Sequence, residues 1–224
     1  MKRSNLCFVL ALLLLCAMLV PLSARAAAPA IYNLGTLGGT SSSRYAVSSS
    51  GQVVGHSYTT GDATSHAFLY SPENGGAMAD LGTLGGASSY GRAINAVGQV
   101  SGYSSTSSGA VHAFLYSGTP GSDGQMADLG TIRNSAGLAV NDSGQVAGAT
   151  PFASGAADRA FLYTGTPGSG GQMVDLGTLG GEASDGYAIN ANGQVAGASQ
   201  IAGISRITPS ATAANPAAVV PWWT

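Results

Sequence analysis

Residues 80–102 read DLGTLGGASSYGRAINAVGQVSG, and close copies of this phrase stand at 33–55, 128–148 and 175–197. The glycines before Gln-Val are Gly51, Gly98, Gly144 and Gly193, spaced 47, 46 and 49 residues apart. Self-similarity at such a period marks stacked or radially arranged supersecondary units. A residue type that returns in every unit is explained first by what it builds. Units begin near residues 31, 78, 126 and 173.

The second copy holds four apolar runs, Met78–Leu81, Arg92–Asn95, Gln99–Tyr103 and His112–Tyr116, separated by Gly, Ser, Asn and Pro clusters. That is strand-and-turn punctuation, and no run is long enough for an independent helix. Val100 and Gly102 fall on one face of a strand, with Gln99, Ser101 and Tyr103 on the other. Four short strands per unit of about 47 residues predict an all-β repeat protein with propeller-like blades. A stacked β-solenoid is the alternative, although its coils usually run shorter, about 20–30 residues.

Between the middle runs lies Asn95-Ala96-Val97-Gly98, returning as Asn141-Asp142-Ser143-Gly144 and Asn190-Ala191-Asn192-Gly193, with Ser48-Ser49-Ser50-Gly51 in the first copy. An Asn side chain bonds the backbone two residues on and Gly accepts positive φ, so these asparagines build tight turns rather than ligate. Gly55, Gly102, Gly148 and Gly197 recur inside a strand, where glycine weakens the sheet unless something approaches closely. Close packing between units is expected there, beneath the aromatic pairs Phe68/Tyr70, Phe114/Tyr116 and Phe161/Tyr163, themselves expected in the core.

The N-terminus carries Lys2 and Arg3, an apolar stretch from Leu6 to Val20 and an Ala24-Arg25-Ala26 site, which predicts a cleaved signal peptide over residues 1–26. The apolar core falls short of a bilayer span, and Leu15 before Cys16 argues against lipidation. Cleavage removes Cys7, Cys16 and the only lysine, so no disulfide holds the exported chain and no transmembrane segment remains in it. Five arginines (Arg44, Arg92, Arg133, Arg159, Arg206) then face ten acids, a balance of 5 − 10 = −5. Without a basic patch, nucleic acid and anionic membranes are excluded as partners.

The runs Ser65-His66-Ala67-Phe68-Leu69-Tyr70 and Val111-His112-Ala113-Phe114-Leu115-Tyr116, with the Asp-Leu-Gly-Thr-Leu-Gly-Gly phrase and the Asn-x-x-Gly-Gln-Val turn, resemble the HAF repeat family of extracellular bacterial proteins. The resemblance covers Ile31 to Gly197. The third copy departs, with Arg159 for His and Thr131-Ile132-Arg133 for Thr-Leu-Gly. What the resemblance implies is export and repeated β units, with no activity attached.

The array is thus expected over residues 27–198, and 199–224 as an aberrant tail. Counting from Gln194, the missing aromatic run belongs at 207 or 208. Codons for Arg206–Ser210 shifted by one base can encode His-His-Ala-Phe, and Pro221–Thr224 in that frame forces Val-Asp after a residue that can be Met, as at Met173-Val174-Asp175. A frameshift between about Ala198 and Arg206, leaving an incomplete array, is the expectation. The nucleotide sequence of the locus tests it.

No catalytic, cofactor-binding or metal-binding residue stands out. Asp80, Asp128 and Asp175 recur before Leu-Gly, with Asn33 in the first copy, but lack the dense oxygen loop that calcium needs and suit capping. His66 and His112 give way to Arg159, an exchange no metal site survives and a strand end facing an acid tolerates. His56 stands alone. No Gly-x-Ser-x-Gly elbow is present, and Gly85-Gly86 and Gly180-Gly181 precede strands, not the helix a phosphate cradle requires. The expected function is a secreted or cell-surface, non-enzymatic binding or scaffold module without a cofactor, whose partner is polysaccharide or a surface protein. The variable loops Tyr58 to Thr64, Ser104 to Ala110 and Thr150 to Asp158 are its expected contacts. The alternative is a propeller-type hydrolase or lyase acting on polysaccharide.

Overall fold

Each copy of the phrase folds into its own antiparallel meander. The computed structural model describes residues 31–130, 134–151, 156–203 and 207–212. The expected signal peptide, Thr131-Ile132-Arg133, the centre of the 150–158 loop and the end of the tail lie outside the described residues. The first sheet comprises β1 (Gly38–Val47), β2 (Val53–Thr59), β3 (Ser65–Ser71) and β4 (Ala77–Asp80) in that order. The second repeats this with β5 (Gly85–Ile94), β6 (Val100–Thr106), β7 (Val111–Ser117) and β8 (Gln125–Asp128). The third holds β9 (Ala136–Val140), β10 (Val146–Thr150), β11 (Arg159–Thr166) and β12 (Ser169–Gly177), and the fourth β13 (Gly180–Ile189), β14 (Val195–Ile201) and β15 (Ile207–Thr212).

Two features depart from the sequence pattern. The Met78–Leu81 run, which opens a copy in sequence, supplies the last strand of the preceding sheet, β4, and the chain crosses to the next sheet just after it. The first strands are also longer than their apolar runs: β5 starts at Gly85 and takes in Ala87-Ser88-Ser89. This stretch looks like a loop by composition. It is held as strand because Gly85 pairs with Thr106 and Ser89 with Ser104, with register shifts on either side of Gly91 that mark bulges.

Neighbouring sheets pack face to face, and each junction has its own core. Val54, Ala67 and Leu69 of the first sheet meet Val100, Phe114 and Tyr116 of the second. Ala113 and Leu115 meet Val146, Phe161 and Tyr163, and Ala139, Ala147 and Leu162 meet Val195. Phe68, Phe114 and Phe161 are fully buried, so these rings are core as expected. Because an inner sheet is covered on both faces, strict alternation disappears: all of β10, Val146 to Thr150, is buried.

Glycine makes the close approach possible. A Cβ on Gly102 would run into the Tyr90 carbonyl oxygen and lie 2.9 Å from the Phe114 ring, and one on Gly148 would strike the Ala136 carbonyl and the Phe161 ring. Opposite, a Cβ on Gly91, Gly137 or Gly186 would lie 3.2 Å from the backbone oxygen of Gly55, Gly102 or Gly148 in the preceding sheet. Glycine therefore faces glycine across every junction.

Polar groups stitch the same junctions. The Ala67, Ala113 and Ala160 amides donate to the buried hydroxyls of Ser89, Ser135 and Ser184 in the following sheet, at 2.8, 2.7 and 2.9 Å. At the turn end, the Asn95 side-chain amide donates to the Asn141 carbonyl at 2.8 Å, and Asn141 in turn to the Asn190 carbonyl at 2.9 Å. The same asparagines accept from the amides of Gln99 and Gln145, and Gly98, Gly144 and Gly193 have positive φ, as the expected turns require. Ser48 is too short to reach across and bonds only within its turn, accepting from the Gln52 amide at 3.2 Å.

In the fourth sheet, β15 pairs with β14 in the register of the missing run. Thr208 stands opposite Ser199 as His66 stands opposite Ser57, and Ser210 opposite Gly197 where Phe114 stands opposite Gly102.

Candidate functional site

The recurring ionisable residues are committed to each other. Within the first sheet, His66 Nδ1 lies 2.8 Å from Asp80 Oδ2, while Asp80 Oδ1 accepts from the Gly82 amide at 2.7 Å. The second sheet repeats this with His112, Asp128 and Gly130, and the third substitutes Arg159, whose Nη2 lies 3.1 Å from Asp175. Each aspartate thus caps the turn into the next sheet and pairs with the strand beside it. Arginine can replace histidine because the aspartate needs only a hydrogen-bond donor at that place on the strand. Among the described residues, no group of three His, Cys, Asp or Glu side chains is gathered as a metal would need.

A different constellation lies where the copies disagree. The residue inserted at the first-strand bulge is Tyr45, Arg92, Leu138 and Tyr187 in successive copies. Across the first junction two of them, Tyr45 and Arg92, meet a row of rings. Tyr45 stacks on His56 with centroids 5.6 Å apart, His56 meets Tyr90 at 4.8 Å, and Tyr90 stacks on Tyr103 at 4.9 Å. The Arg92 guanidinium lies over the Tyr45 ring, 4.2 Å from its centroid, a cation–π contact. Tyr45 is 44% exposed and the others are partly buried.

The polar heads of this row are unspent. Among the described residues, none of the Tyr45, Tyr90 and Tyr103 hydroxyls, the His56 ring nitrogens or the Arg92 N–H groups hydrogen-bonds to protein, and buried His56 Nδ1 has no partner at all. A guanidinium that stacks through its face keeps its in-plane donors free. Burial first, and the Arg92 charge second, lower the His56 pKa, so the imidazole is held neutral. Burial raises the Tyr103 hydroxyl, against the pull of Arg92.

Beyond Tyr103 opens a cleft of about 320 Å³, lined by Val111, Leu138, Ala149, Asp158 and Asp185. Of these, Asp158 closes the variable stretch 150–158 and Val111 follows the variable stretch 104–110. One end of this surface therefore bears an arginine and hydroxylated rings, and the other two carboxylates. In the sequence His56 stands alone, Tyr103 is placed only on a strand face and Arg92 only at the start of an apolar run. The remaining members share a signal that aligned copies contain: they vary at positions flanked by near-invariant residues. No family model matches the chain, and no curated protein matches it.

Proposed function

We propose that the protein is exported and acts outside the cell as a non-enzymatic binding module, in keeping with its resemblance to HAF repeat proteins. Its sheets are taken as blades of a propeller-like array. Two facts support blades over solenoid coils: each unit completes its own antiparallel meander, and neighbouring units meet by side-chain packing across sheet faces.

The observation that carries binding is the unspent row Tyr45–His56–Tyr90–Tyr103 with Arg92. Polar groups half-removed from water yet unpaired by the protein are costly unless water or a ligand completes them. The repeated polar residues, by contrast, are spent on turns and junctions. Extracellular polysaccharide is the partner class, because sugars offer dense hydroxyls to such heads and apolar ring faces to tyrosine. Screening the protein on a glycan array tests this: selective retention of one glycan class is expected, and uniform absence of binding sinks the polysaccharide partner.

A further inference from the structure

We infer that the surface running from Arg92 to Asp185 selects a mixed polysaccharide, one in which a uronic acid alternates with a neutral sugar. This rests on the binding function proposed above and specifies its ligand.

Arg92 supplies the first half of the selection. Its guanidinium is fixed over Tyr45 and makes no ion pair or hydrogen bond among the described residues. The repeated carboxylates of the first two sheets, Asp80 and Asp128, are held by His66 and His112. A planar cation with free in-plane donors takes a carboxylate in two parallel bonds. The Tyr90 and Tyr103 hydroxyls and His56 surround it with further unpaired donors and acceptors, which sugar hydroxyls match.

Asp158 and Asp185 supply the second half. Both line the cleft that begins at Tyr103. Asp185 receives the Tyr187 hydroxyl at 3.1 Å, and the Asp158 carboxylate has no protein partner among the described residues. Carboxylates accept hydrogen bonds from neutral sugar hydroxyls and repel a second uronate at close range. A chain laid along this surface is thus favoured with its acid at Arg92 and an uncharged ring in the cleft. A homopolymer of uronate meets repulsion there, and a neutral glucan leaves Arg92 unpaired. The cleft volume of about 320 Å³ falls at the small end of ligand sites.

Isothermal titration with three disaccharides tests this: cellobiouronate, its neutral counterpart cellobiose, and digalacturonate. Cellobiouronate is expected to bind at least about tenfold more tightly than either of the others, a factor equal to about 1.4 kcal/mol. Arg92→Gln should erase the preference over cellobiose, Arg92→Lys should keep part of it, and Asp185→Asn should raise digalacturonate binding alone. Thermal midpoints measured beside each titration show that the variants remain folded. Equal binding of cellobiouronate and cellobiose, or an Arg92→Gln protein as selective as wild type, overturns the inference. If a glycan array shows a ligand indifferent to Arg92→Gln, the binding function stands and this ligand assignment falls. If no glycan binds, this ligand assignment and the polysaccharide partner fall together.

Discussion

At the scale of single residues, the fold depends on atoms that are missing. Gly102 leaves room for both the Tyr90 carbonyl and the Phe114 ring, while a Cβ on Gly91 would meet the preceding sheet only at 3.2 Å. Gly102→Ala should therefore cost about 2–4 kcal/mol, since strand backbone has to move. Gly91→Ala should cost about 1 kcal/mol. Urea unfolding orders the two, and the opposite order contradicts the packing described. His56 gives a pH signature. In the unfolded chain it titrates near its ordinary value of about 6.5, and in the fold lower, so as pH falls the unfolded state takes the proton first. The contribution is complete above about pH 6.5 and is lost as pH drops toward the folded value. The unfolding midpoint of wild type should fall between about pH 7 and pH 5 more steeply than that of His56→Phe. Parallel slopes refute this.

At the scale of the element, the turn asparagines do two tasks, and only one was legible beforehand. The Asn-x-x-Gly spacing specifies a turn by local geometry. That the same amide crosses to the next sheet depends on which face the neighbour covers, and periodicity carries no such information. Asn141 is buried and makes both kinds of bond, whereas Asn190 is exposed and bonds within its turn. Asn141→Ala should cost about 2–3 kcal/mol and Asn190→Ala about 1 kcal/mol or less by chemical denaturation. Ser48→Asn should gain about 0.5–1 kcal/mol by supplying the missing donor toward the Asn95 carbonyl. Equal losses at Asn141 and Asn190 speak against the cross-sheet bond. The same split explains the strands. The apolar runs of β6 and β7 announce themselves, but the Gly- and Ser-rich start of β5 is strand only because its partner and the neighbouring sheet pair its backbone and bury Ser89. The ring row escaped notice for the converse reason: its members occupy positions where copies vary, and repetition draws the eye to what stays constant.

At the scale of the molecule, stability is a sum over units and junctions. Sheets two and three are covered on both faces by their neighbours, and the described residues cover the first and fourth sheets on one. Amide exchange should accordingly be slowest in β6 and β10 and faster in β1 and β14. Uniform protection across all four sheets contradicts junction-wise stability. The crossing of the chain from sheet to sheet inside the Asp-Leu-Gly phrase also bears on how such a gene changes. Every junction is specified by the same few residues on either side of that crossing, so removing residues 129–175 joins Asp128 to Leu176 through an unaltered phrase. Ser184 then faces the Ala113 amide as Ser135 does now. Recombination between copies thus adds or deletes whole sheets while reproducing every interface, and copy number can drift across generations. The ring row, confined to the junction of the first two sheets, is inherited intact or lost as one piece.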